Sequence, residues 1–199
     1  MTASPRLPPA DFDTRALPTV HVPAGTSWVR IHDAAKGPLW FGPAPGAAPS
    51  NRFDAPAAEY RVCYIGETIE GAFAETFLRI VPVRLLSLDD LAKRAASPVV
   101  TLRGVTLVQF HGAGLAKLGA TAEVAHGAYS LSRQWALACW KHPSAPDGLL
   151  YRARHDDDQL AIALFDRADD SIEAPAPPIL MSARPELPAL LSRYGIGLV

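Results

Sequence analysis

Tyr60-Arg61-Val62-Cys63-Tyr64-Ile65-Gly66-Glu67-Thr68-Ile69-Glu70-Gly71-Ala72-Phe73-Ala74-Glu75-Thr76-Phe77 changes its periodicity halfway along. Tyr60–Ile65 is dense in β-forming residues and closes on Gly66, which predicts a strand. Beyond it, Thr68 is suited to cap a helix, because its hydroxyl can accept from a free amide of the first turn. Ile69, Ala72, Phe73, Thr76, Phe77 and Ile80 then recur at helical spacing and form one face to bury.

Upstream, Ser27–His32 reads as a strand. Residues 1–25 are rich in proline, which fixes φ and lacks an amide donor, so an extended and partly mobile arm is expected there. Residues 26–199 are then one domain. Residues 34–60 hold many prolines and glycines and read as a long irregular loop of a kind that is often functional. Downstream, strands are expected at Val83–Leu88, Leu107–Phe110, Leu149–Ala153 and Leu160–Phe165. Short helices are expected at Leu88–Ala96 and Ala113–Leu118, and longer ones at Leu131–Lys141 and Pro185–Tyr194. Arg154–Asp158 reads as a solvated polar turn and residues 174–178 as a linker. Strands and helices mix without a regular βαβ alternation, which favours an α+β fold over a doubly wound sheet.

The chain has 199 residues, of which 49% are apolar, enough for one domain with a core of its own. Its formal charge of −1 gives no global field for nucleic acid or an anionic membrane, so a site for a polyanion must be a local group of arginines. Cys63 and Cys139 lie in apolar surroundings and are expected to be buried, reduced thiols. There is no Cys-x-x-Cys, and the histidines show no i, i+4 pairing, so no metal is expected. No basic-then-apolar leader and no membrane-spanning run is found, and a cytoplasmic location is the expectation. A G-x-G-x-x-G turn, a P-loop and a G-x-S-x-G elbow are all absent.

Five polar residues stand out in apolar or aromatic stretches: Arg30, Arg52, Tyr64, Glu75 and Ser132. Each has two readings. Glu75 lies off the apolar face of its helix and could pair with Arg79 one turn on, but the small neighbours Gly71, Ala72 and Ala74 leave room for a ligand. Arg30 could snorkel to water from a strand end, and Arg52 could pair with Asp54. Alternatively, both guanidinium forks could clamp phosphate oxygens. Tyr64 is either core or an aromatic face for a planar ring. Ser132 is either a helix cap or a ligand contact at a helix start.

As an ordered series these residues resemble the RES-domain family. Trp28-Val29-Arg30, Asn51-Arg52-Phe53-Asp54, Tyr64-Ile65-Gly66 and Ala72-Phe73-Ala74-Glu75 are similar to its N-terminal motifs. Ser132-Arg133-Gln134-Trp135-Ala136, Asp147-Gly148-Leu149-Leu150-Tyr151, Arg154-His155-Asp156 and Ala163-Leu164-Phe165-Asp166-Arg167 are similar to the C-terminal ones. One departure is Ala153, where many relatives carry serine. The resemblance implies a split, mostly antiparallel sheet flanked by helices, as in ADP-ribosyltransferases. It implies an NAD-consuming toxin that cleaves the nicotinamide–ribose bond, with phosphate or water as acceptor and no cofactor. The implied partner is an antitoxin with a helix-turn-helix domain, and apolar tail residues would suit a homodimer. Arg30 and Arg52 would hold phosphates, Tyr64 would pack near nicotinamide or its ribose, and Glu75 would stabilise charge at C1′. Ser132 would contact the ligand or position the acceptor, with Arg154 and His155 at the rim. An ADP-ribosyltransferase acting on a macromolecule and a non-catalytic partner-binding module are the alternative expectations.

Overall fold

In the computed structural model, residues 7–44, 46–79 and 85–199 are described. Ile80 and Val83, which figure in the sequence expectations, lie outside them.

The N-terminal strands are β1 (Thr19–Val22), β2 (Ser27–Asp33) and β3 (Val62–Gly66). β3 leads into α1 (Ile69–Phe77), followed by β4 (Leu85–Leu86), α2 (Leu88–Ala92), β5 (Arg94–Thr101) and β6 (Val105–Phe110). Helices α3 (Ala113–Leu118), α4 (Glu123–His126) and α5 (Tyr129–Lys141) come next, then β7 (Gly148–Ala153) and β8 (Asp156–Phe165). The chain closes with β9 (Ile172–Glu173), β10 (Ile179–Leu180), α6 (Leu187–Tyr194) and β11 (Gly197–Leu198).

The main sheet runs β1-β6-β7-β8-β3-β2-β5-β10, with β9 also on β5. Within it only β6 and β7 pair in parallel, so it is the mostly antiparallel, helix-flanked sheet expected. Strand alternation sorts its central residues onto two faces. Val62, Leu149, Tyr151, Ala163 and Phe165 pack under α5 with Trp135 and Cys139. Cys63, Ile65, Leu150, Ile162 and Leu164 pack on the other face with Trp28. A third cluster joins Phe73 of α1 to Leu187 and Leu190 of α6. Both cysteines are free and buried, and burial pushes the Cys63 thiol up to about 11.

The sheet is split between β2 and β3, which share a single register pair, Val29 with Gly66. Beyond that pair the two strands diverge and leave a wedge-shaped gap. Gly66 is there because its backbone closely approaches α1: a Cβ on it would lie 2.6 Å from the Ala72 amide nitrogen.

Three local expectations change. Leu88–Ala96 is not one helix: α2 ends at Ala92 and Arg94–Thr101 is a strand paired along its length with β2. Ala95, Ala96 and Ser97 are all buried, so no alternation marks the strand. The Asp156–Asp158 run is not a turn but the start of β8. Part of the proline-rich segment is built into the domain: β1 pairs with β6, and Phe12 is buried edge-on against Trp135 with ring centroids 5.5 Å apart. Phe12→Ala should therefore cost about 3 kcal/mol, by loss of buried area and creation of a cavity. Urea unfolding monitored by circular dichroism checks this; a change under 1 kcal/mol would make the segment an appendage.

Candidate functional site

The gap between β2 and β3 opens into a cavity of about 610 Å³, a size typical of small-molecule sites. Its walls include Arg30 to Asp33 on one side of the split and Val62, Tyr64, Ile65 and Gly66 on the other. The cations Arg30, Lys36, Arg52, Arg79, Arg94 and Arg154 line it, against the carboxylates Asp33 and Glu75. A near-neutral chain thus carries one locally cationic hollow.

Glu75 faces this hollow. Thr68 caps α1 by accepting from the Gly71 amide at 3.0 Å, and its hydroxyl also bonds Gln159 of β8, which fixes the helix against the sheet. One Glu75 oxygen, Oε2, accepts from the Tyr151 hydroxyl at 2.9 Å, and the other, Oε1, from the Arg154 amide at 3.0 Å. Each oxygen keeps a lone pair for a ligand. The alternative pairing with Arg79 is not made; Arg79 donates to the Ser50 carbonyl. Burial, and then the Glu75 charge, push the Tyr151 phenol well above its ordinary range, so it remains a proton donor to the carboxylate.

Arg52 enters from the loop after β2 and is buried. Its Nη1 donates to the Gly127 carbonyl at 2.8 Å and to Ser132 Oγ at 3.3 Å. Its guanidinium carbon lies 4.6 Å from the centroid of the Tyr129 ring, and Arg133 flanks the same ring at 5.6 Å. Burial lowers the Arg52 pKa and the Arg154 charge lowers it further, although a guanidinium remains charged. An anion between Arg52 and Arg154 would relieve that repulsion.

Asp54 does not pair with Arg52. It is fully buried and accepts from the Ser50 amide at 2.8 Å, the Asn51 amide at 2.6 Å and the Tyr64 hydroxyl at 3.0 Å. Tyr64 in turn accepts from the Phe53 amide at 2.9 Å, and Arg133 holds the Asn51 and Pro49 carbonyls. Burial, then Asp54, raise the Tyr64 phenol far above its usual range.

Two of the five residues singled out in the sequence, Ser132 and Arg30, are bonded largely to the protein itself. Ser132 is fully buried within α5, where its hydroxyl accepts from Arg52 at 3.3 Å and donates to the Ala128 carbonyl, and it is not among the residues that line the cavity. Nor does it cap the helix, whose N-cap is Ala128. Arg30 lines the cavity, but it donates to Cys63 Sγ, to the Pro38 carbonyl at 2.9 Å and to the Trp40 carbonyl. Three of its five N–H groups are thus spent on the protein. Ala153 is fully buried among the α1 and α6 side chains.

Tyr151, Tyr129, Arg133 and Asp54 were missed as site residues. Tyr151 and Arg133 stand in motifs quoted above, but nothing local marks them as partners of Glu75 and of the loop.

His126 and His155 lie within the field of Arg52, Arg154 and Glu75. Burial lowers both imidazoles below 6.5, and the neighbouring arginine, Arg52 for His126 and Arg154 for His155, lowers each further. Among the described residues His155 Nε2 is buried without a hydrogen-bond partner. No set of three His, Cys, Asp or Glu side chains among the described residues could hold a metal, and no helix among them is long and apolar enough to cross a membrane.

Both imidazoles have folded pKa values below their unfolded value. The stability this contributes is present above pH 6.5 and is lost as pH falls through the folded values. The melting temperature should therefore drop between pH 7.5 and 5.5, and drop less in a His126→Gln/His155→Gln variant. Scanning calorimetry across that range checks this; equal slopes for the two proteins would contradict it.

Three comparisons bear on this site. The family model described as the RES domain matches residues 27–189. A probable toxin, y4kH, of Sinorhizobium fredii is 24% identical over 115 residues, covering 57% of this chain and 90% of that protein. Among solved structures, the crystal structure of the M. tuberculosis MbcT–MbcA toxin–antitoxin complex matches with a TM-score of 0.62 at 12% identity, over 85% of this chain and 92% of the other.

Proposed function

The chain belongs to the RES domain family, and from that premise we propose that it is an NAD-consuming enzyme, the toxin of a toxin–antitoxin pair. The observation that carries this reading is the Glu75 carboxylate, held by Tyr151 and the Arg154 amide inside a cationic cavity.

NAD carries the two properties this hollow complements. Its pyrophosphate is a dianion that Arg52 and Arg154 would hold through their remaining N–H groups. Its nicotinamide is already cationic, so the C1′–N bond breaks with the electron pair going to nicotinamide, which leaves neutral. Positive charge then passes to the ribose ring, as in glycoside cleavage. A carboxylate fixed beforehand by two hydrogen bonds stabilises that charge without reorganising, and stabilises it more in the transition state than in the ground state. The phosphate contacts hold the ribose in place while this happens. An acceptor oxygen, from water or inorganic phosphate, completes the bond to C1′ and gives up its proton to solvent.

The partner would be an antitoxin bearing a helix-turn-helix domain, which would act by covering the cavity mouth. An antitoxin partner is supported by the similarity in fold to the MbcT–MbcA structure, which is a toxin–antitoxin complex. The cytoplasm is where the enzyme would meet NAD.

Purified protein incubated with NAD, with and without phosphate, should release nicotinamide. Mass spectrometry then identifies ADP-ribose with water as acceptor, a phosphorylated ADP-ribose with phosphate, and label retained on a macromolecule if the activity is transfer. Glu75→Gln should lower turnover by roughly 100-fold or more, the range for losing one preorganised electrostatic group. Intact NAD under both conditions overturns the enzymatic reading.

A further inference from the structure

Trp40 is 38% exposed, an unusual state for so large an apolar side chain, and it lines the cavity. It is nonetheless held on several sides. Its amide donates to the Gly37 carbonyl at 3.3 Å, and its carbonyl accepts from Arg30 Nη2. Lys36 Nζ lies 5.2 Å from the centroid of its ring. The indole edge rests on Gly42, where a Cβ would stand only 3.1 Å from Nε1. Arg30 thus fastens the loop that carries this ring.

The loop that carries the ring joins the sheet at a level well away from that of the reacting end. Tyr151, which holds Glu75, is level across the sheet with Ala161 and then Gly66. The loop carrying Trp40 joins the sheet where Gly42 bridges Val62. Val62 lies four residues along β3 from Gly66, so the two levels are about 13 Å apart at ~3.3 Å per residue. A pyrophosphate and a sugar fit in that interval.

We propose that Trp40 is the stacking platform for the purine base at the non-reacting end of the dinucleotide, and so a specificity-determining residue. The inference rests on the NAD reading above. An aromatic face prearranged in water gains when a planar base covers it, because apolar area leaves solvent at little cost in ordering. Charge selects which ring of the substrate goes there. Lys36, whose ammonium stands over one face of the indole, repels the cationic nicotinamide and tolerates neutral adenine on the other face, while its charge suits the phosphate next to adenosine. Arg30 is then a positioning residue for the platform.

The test compares NAD with nicotinamide mononucleotide, which keeps the scissile bond and lacks the adenosine. In Trp40→Ala the ratio of kcat/KM for NAD to that for the mononucleotide should fall by ~10- to 100-fold, the usual weight of one stacked base. Trp40→Phe should restore most of the ratio. Titration with ADP-ribose should quench tryptophan fluorescence in the wild-type protein, and this component should vanish in Trp40→Phe. An unchanged ratio in Trp40→Ala, or a quench that persists in Trp40→Phe, overturns the platform. Wild-type protein that leaves NAD intact overturns the enzymatic reading instead, and the ADP-ribose titration still decides the platform by itself.

Discussion

The buried carboxylate of Asp54 is the contact on which the site is built. Among the described residues no cation pairs with it; two loop amides and the Tyr64 hydroxyl hold it by hydrogen bonding. Such charge-assisted bonds are strong in a dry setting, and a carboxylate deprived of them there would be very costly. The loop from Ser50 to Asp54 therefore has one conformation to adopt. That conformation aims Arg52 inward, and Arg133 fixes it from the other side through the Asn51 carbonyl. Because Asp54 bonds amides and not Arg52, the guanidinium keeps its charge for a ligand. Ser132 and the Gly127 carbonyl hold one of its nitrogens, Tyr129 covers its face, and among the described residues its other nitrogens make no hydrogen bond.

A second constraint is the way the sheet comes apart. β2 and β3 meet at one register pair and then diverge, so an otherwise continuous sheet contains its own cleft. Backbone exposed on both sides of such a gap needs partners. The loop between the strands supplies part of them, with Gly42 bridging Val62 through two backbone bonds of 2.9 and 3.1 Å. Arg30 closes another part by reaching from β2 to Cys63 on β3 and to two loop carbonyls. Hydrogen bonds from the loop and from Arg30 thus tie the two banks of the cleft together.

Much of the framework was legible because local pattern and burial agree along it. The run of β-formers from Tyr60 to Ile65 and the helical face of Ala72 and Phe73 mark β3 and α1 without outside help. β5 was not legible, since small buried residues on both of its faces erase the alternation that identifies a strand. β1 was hidden by prolines that flank it without entering it. In the site, residue chemistry was readable and residue pairing was not. Glu75 and Tyr151 are 76 positions apart and Arg52 and Ser132 are 80 apart, so no local spacing joins them. Arg30 has the right chemistry for a phosphate clamp, yet it is bonded mainly to its own loop, which only the split in the sheet explains.

The pairing of β3 with β8 ties Val62 to Phe165 across about half of the chain. Contacts so distant in sequence are late events in folding, because the intervening loop must be closed before they stabilise anything. During synthesis, one bank of the cleft stays without its neighbour until β8 has left the ribosome. The cavity is therefore incomplete in any nascent chain that lacks β8.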